Sequence, residues 1–178
     1  RVVCAAGQVV PAITPPFSRL AVRLTGDREY TDLSHRVLTQ SRTVRFREME
    51  YALPAGEVVT AFREVQSLIA QRGWRIEFPI EVRFAAEDDR WLSTAYGRAS
   101  AYIAVHRYFK QDHWAYFRRI EPILKAAGGR PHWGKLHSLT HEDLLERHED
   151  LARASEFRKQ IDPQGLFRNA MVDRIFGL

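Results

Sequence analysis

Glu81 and Arg83 stand two residues apart in the stretch 75–84, where Ile76, Phe78, Ile80, Val82 and Phe84 alternate with polar neighbours. A period of two predicts a strand, and a rise of about 3.3 Å per residue puts both side chains on one face, ~6 to 7 Å apart. A carboxylate accepting from hydroxyls beside a guanidinium donating to oxygens can grip a polyhydroxylated ligand. The same spacing also serves an ordinary solvent-side charge pair. Residues 130–135, Arg-Pro-His-Trp-Gly-Lys, follow Gly128 and Gly129 and are too rich in Gly and Pro for a helix. They gather an imidazole, an indole and an amine in one loop, which is either a site or a surface loop with a packed Trp133. His106, between Tyr102 and Tyr108 on a strand over 101–109, is either a proton acceptor or a packing histidine. His137 and His141 have the spacing of a metal pair, but Thr140 reads as a helix N-cap between them and no third ligand is apparent. No metal site is assigned.

The elements that must position these residues follow from periodicity. Residues 1–40, with Pro11, Pro15 and Pro16, read as extended segments and loops. From Thr43 a strand is predicted, because Val44, Phe46 and Glu48 alternate with Arg45, Arg47 and Met49 up to Pro54. Val58, Phe62, Val65 and Ile69 recur at four, three and four, one stripe of an amphipathic helix closed by Gly73. The strand over 75–84 should put its apolar half in the core, and Pro79, which has no N–H, makes it an edge strand or an irregular one. Ile103 and Val105 form the core face of the next strand. Asp112 caps a helix carrying Trp114, Phe117, Ile120 and Leu124, which Pro122 should kink or divide and Gly128 and Gly129 should end. A capping-box pattern, Thr140 with Asp143, opens two short helices up to Ile161, and residues 162–165 turn into an apolar, partly basic tail. The expected fold class is α+β, one domain with an antiparallel sheet covered by helices.

Composition narrows the class further. The chain has 178 residues, 45% hydrophobic and 28% charged, enough for one ordinary core. The net charge of +5 is spread over basic residues interleaved with 22 acids, which reads as solvated surface and not as a nucleic-acid footprint. No apolar run approaches the roughly 20 residues of a membrane span, and no signal peptide opens the chain, so it reads as cytoplasmic, with attachment to a membrane face left open. Cys4, the single cysteine, reads as inert. Residues 1–10, starting at Arg1, read as the middle of a longer protein.

Four blocks in order, 78–84 (FPIEVRF), 91–98 with Trp91, Leu92, Ser93, Ala95, Tyr96, Gly97 and Arg98, 130–135 (RPHWGK) and 162–169 (DPQGLFRN), resemble the C-terminal half of the sugar-1,4-lactone oxidases; 45–54 (RFREMEYALP) resembles the entry to that region. That group includes gulonolactone, arabinonolactone and alditol oxidases, flavoproteins of the vanillyl-alcohol oxidase type. The resemblance implies that residues 1–178 are the cap domain over the isoalloxazine, with a return segment, and that the N-terminal FAD-binding domain is absent from this chain. It implies FAD as cofactor, held mainly by that domain, a sugar lactone or polyol as substrate, and that domain as partner. It places Glu81, Arg83, Lys135 and His106 at the substrate, and His132, Lys135, Arg83 and Asn169 at the cofactor. Hydride transfer from a carbinol carbon to flavin N5 leaves negative charge on the ring, which fixed cations such as Arg83 and Lys135 favour. Glu81 suits hydroxyl recognition, and His106 or a neighbour suits the proton. The alternative is a non-catalytic carbohydrate- or polyanion-binding module that keeps the cap fold.

Overall fold

The computed structural model describes residues 6–7, 9–25, 27, 29–37, 39 and 44–178. The expectations for Cys4 and Thr43 fall outside these. At the centre lies a four-stranded antiparallel sheet. The strands β1 (Phe46–Pro54), β2 (Glu81–Ala85), β3 (Ser100–Tyr108) and β4 (Arg130–Pro131) lie in the order β2-β3-β1-β4. The long pair β1 and β3 runs in register from Phe46 opposite Tyr108 to Pro54 opposite Ser100. Met49, Tyr51 and Leu53 therefore share a face with Val105, Ile103 and Ala101, and all six are buried.

That face packs on two helices, one (Val58–Gln71) contributing Val58, Ala61 and Val65 and the other (Trp114–Ala126) contributing Tyr116, Phe117, Ile120 and Leu124. With α1 at Thr14–Thr25 and α2 at Ser34–Val37, these two are α3 and α4. Leu139, Leu144, Leu151 and Ile175 close the same core from α5 (His141–Leu145), α6 (Leu151–Ile161), α7 (Ala170–Phe176) and the segment before them. The expected α+β class holds, with the helices gathered on one face. The other face, carrying Glu48, Glu50, Glu81, Arg83, Tyr102 and His106, is left for chemistry. Among the described residues no helix is long and apolar enough to cross a membrane.

Four expectations are corrected. Residues 14–25 form helix α1 and not an extended segment: Pro15 and Pro16 sit in its first turn, where a missing N–H costs nothing, and Phe17, Leu20 and Leu24 are spaced three and four apart. The predicted strand over 75–84 begins only at Glu81, after the Pro79 interruption, and its last apolar residues, Val82 and Phe84, are exposed at the sheet edge. Trp74, Ile76 and Ile80 lean on the core instead. Helix α4 is not divided by Pro122; its buried stripe holds one continuous element, and Trp114 lies outside that stripe at 39% exposure. Residues 130–131, expected within a loop, pair with β1 as a fourth strand.

The local stop and start signals act as expected. Asp112 Oδ1 accepts the Trp114 N–H at 2.9 Å, and Gly128 takes a positive φ of 71° past the end of α4. Thr140 and Asp143 form a reciprocal capping box on α5. A buried carboxylate pins α4 to the sheet: Glu121 accepts from Tyr51 Oη at 2.5 Å, from Ser138 N at 2.7 Å and from Ser138 Oγ at 2.5 Å.

Candidate active site

The second face of the sheet brings together side chains far apart in sequence. Glu48 and Glu50 project from β1 at a spacing of two. Across the ladder Glu48 faces His106, while Glu50 and Glu81 face Ala104 from its two sides. Arg83 stands next to Glu81 on β2, opposite Tyr102. Lys135 arrives from the segment after β4, which is laid along β1 by backbone bonds from His132 N to Glu50 O (2.9 Å) and from Leu136 N to Glu48 O (3.0 Å). A further bond, Lys135 N to His132 O at 3.0 Å, tightens the turn between them.

The six charged or protonatable groups close a circuit in which carboxylates alternate with basic side chains. His106 Nε2 lies 3.2 Å from Glu48 Oε1, and Glu48 Oε1 accepts from Lys135 Nζ at 2.6 Å. Lys135 Nζ also donates to Glu50 Oε2; Glu50 Oε1 lies 3.8 Å from Arg83 Nη1. Arg83 Nη2 donates to Glu81 Oε2, and Glu81 Oε1 returns to within 3.8 Å of His106 Nε2. Exposure is graded around the circuit: the Glu50 side chain is 2% exposed and that of Arg83 50%. Burial pushes the Glu48 carboxyl up, but hydrogen bonding and charge from His106 and Lys135 outweigh it and hold the group at about 2. The bond to Glu81 raises Arg83 above its ordinary value. The His106 ring is enclosed by Phe46, edge-on at 5.1 Å, and Phe78 at 5.9 Å, and its Nδ1 is buried without a hydrogen-bond partner.

A cavity of about 460 Å³ opens beside the circuit, lined among others by Phe46, Glu48, Trp133, Lys135, Met171 and Arg174. It meets the circuit at Glu48 and Lys135; Glu81 and Arg83 lie outside its lining. Of the residues singled out in the sequence, Glu81, Arg83, His106 and Lys135 converge. His132 is in the same segment, but its Nδ1 accepts from Gly134 N at 3.1 Å and braces the turn. Trp133 packs inward, donating to Leu92 O at 2.7 Å and lying 4.5 Å from the His148 ring. Asn169 caps α7, accepting from the amides of Met171 and Val172; its helix sends Met171 and Arg174 to the cavity. His137 and His141 are apart in function: Arg174 reaches the carbonyl and ring of the buried His137, while His141 Nδ1 faces Ile175 O.

Over residues 1–175 the sequence matches the family model for D-arabinono-1,4-lactone oxidase. The chain belongs to this family. It is 41% identical over 175 residues to L-gulono-1,4-lactone dehydrogenase of Mycobacterium tuberculosis, covering 98% of this chain and 41% of that protein. Against L-gulonolactone oxidase of Bos taurus the identity is 31%, over 85% of this chain and 36% of the relative. Against alditol oxidase of Streptomyces sp. it is 31%, over 68% and 28%. The chain thus spans about two-fifths of the length of the first of these curated relatives.

Sequence reasoning missed Glu48 and Glu50 as members of the charge circuit. The signal was present, since they have the same spacing of two on a predicted strand that drew attention to Glu81 and Arg83. Arg174 and Met171 carried no comparable signal, because only the docking of α7 brings them to the cavity.

Proposed function

We propose that this chain is the substrate-side cap of an FAD-dependent oxidoreductase that oxidises a CH–OH group of a sugar-1,4-lactone or alditol, its FAD-binding domain lying elsewhere in the same protein. The observation that carries the reading is the circuit itself: carboxylates, a guanidinium, an ammonium and an imidazole converge on the second, polar face of the sheet in a chain of this family. These groups fit the reacting end of a flavin site, because Lys135 borders the cavity and Arg83 is half exposed, both fixed cations of the kind that favours developing negative charge. When bound, FAD supplies the hydride acceptor, and oxygen or another oxidant then takes the electrons.

In this reading Arg83 donates to substrate oxygens and Glu81 accepts from its hydroxyls, orienting the carbinol carbon. The proton leaving the carbinol oxygen is taken by Glu81 or by His106, 3.8 Å behind it. Lys135 and Arg83 stabilise charge, with His132 and Asn169 supporting the cofactor side through the turn and the helix cap they maintain. Phe46 and Phe78 keep water from His106. Anaerobic mixing of the full-length, FAD-loaded protein with D-arabinono-1,4-lactone, L-gulono-1,4-lactone or an alditol is expected to bleach the flavin band. Binding of all three without bleaching would favour a carbohydrate-binding module and overturn the enzyme reading.

A further inference from the structure

The circuit contains one member that reaches both cations and almost no solvent. We propose that Glu50 is a positioning residue of this site, holding Lys135 and Arg83 in the arrangement the substrate meets; this rests on the reading of the site given above. Glu48 bridges Lys135 and His106, Glu81 bridges Arg83 and His106, and Glu50 alone among the described residues bridges Lys135 and Arg83. Its side chain is 2% exposed, so it acts through its neighbours and not on substrate directly.

Three features of the fold make Glu50 the anchor. Its carbonyl accepts His132 N at 2.9 Å, so one residue registers both the backbone of the segment bearing Lys135 and the Lys135 ammonium. Ala104, opposite Glu50 on one side and Glu81 on the other, presents only a methyl group, which leaves room for Arg83 to cross the central strand toward β1. A buried carboxylate needs compensation, and here two cations supply it; without the carboxylate those cations would face each other with nothing between them. Arg83, already half exposed, is the one free to swing away.

The test uses the full-length, FAD-loaded protein and a double-mutant cycle with Glu50→Gln and Lys135→Met, read by anaerobic flavin reduction and by the crystal structure of Glu50→Gln. Glutamine keeps the shape and one acceptor but removes the charge. The limiting reduction rate should fall about tenfold or more, since ångström-scale misplacement of a positioning group can cost up to about a hundredfold. In the Lys135→Met background the same change should cost less than in the wild type, because only the Arg83 contact is then left for Glu50 to hold. The crystal structure should have Arg83 turned away from Lys135. A Glu50→Gln rate within about twofold of the wild type, full additivity in the cycle, or an unmoved Arg83 would each overturn the proposal. If Glu50→Gln does not retain FAD, Glu50→Asp takes its place: it keeps the charge but is too short to reach both cations, and the same rate criterion applies. Failure of the wild type to be reduced by any lactone or alditol is seen before any variant is made, and sinks the reading of the site together with this role.

Discussion

Residue by residue, the site is a set of charges that compensate one another, which changes what single substitutions report. Glu81→Gln or Arg83→Ala in the full-length protein should lower flavin reduction by substrate at least about a hundredfold while FAD stays bound, because in the proposed reading these two exposed members of the circuit are the ones that meet substrate. Stopped-flow reduction at saturating substrate checks this, and unchanged rates in both variants would remove the pair from the site. Lys135→Met is a different case. It leaves the buried Glu50 and the partly buried Glu48 with no ammonium between them, so stability should fall by about 3 kcal/mol. If Lys135 also stabilises the anionic reduced flavin, the midpoint potential falls as well. Potential and melting temperature measured on the same variant separate the roles: a lower melting temperature with an unmoved potential makes Lys135 a structural ion-pair member only.

Single interactions hold the secondary-structure elements around the site in place. Glu121, at the middle of α4, takes three hydrogen bonds from Tyr51 on β1 and from Ser138 just before α5. Burial, then the hydrogen bond to Glu121, raises the Tyr51 phenol far above its ordinary value, so it remains a donor throughout. Glu121→Ala would leave a buried hydroxyl and a buried amide unsatisfied and open a cavity beside them, costing about 3 kcal/mol. Urea unfolding gives the number, and a loss below about 0.5 kcal/mol, typical of a surface change, would contradict the network. On the other side of the site Arg98, Arg130 and Arg147 donate to the carbonyls of Ala52, Tyr96 and Gly129, tying the 91–98 block and the end of α4 to the strand that leads to Lys135. Burial, then repulsion from the other two, brings Arg98 down to about 10.

Across the whole molecule, acid should loosen the fold well before it titrates the site carboxylate. Burial and nearby arginines lower His148 to about 3, and burial and Arg174 lower His137 to about 4. Each is neutral when folded and takes a proton near 6.5 when unfolded, so the unfolded chain binds more protons below that pH. The stability they contribute is complete above pH 6.5 and is lost as pH falls toward 4 and 3, at up to about 1.4 kcal/mol per pH unit for each. Glu48 adds a later loss, between its unfolded value of 4.5 and its folded value of about 2. Urea melts at pH 7, 5.5 and 4.5 should show declining stability, and His148→Phe, which keeps an aromatic plane against Trp133, should flatten the slope. An equal slope in that variant would remove His148 from the account.

Much of this was legible in the residues because it is local. The stripe of Val58 and Val65, the alternation along β1 and β3, the Thr140–Asp143 capping box and the glycine stop at Gly128 each depend on neighbours within a few positions, which periodicity and caps report directly. The spacing of Glu81 and Arg83 and the blocks that resemble the family were likewise plain, and the family match followed them. What the sequence could not decide is whatever depends on pairing between distant segments. Glu48 and Glu50 look like the solvent side of a strand until the register sets them opposite His106 and beside Arg83. Residues 130–131 look like loop until β1 offers them hydrogen bonds, and with that pairing Lys135 is delivered between two carboxylates. Prolines at 15 and 16 conceal a helix start, and Pro79 cuts short a strand whose alternation continues on paper. Side-chain period comes from a single segment's own geometry, whereas a charge circuit comes from which faces the sheet brings together, and that is decided only when the chain closes on itself.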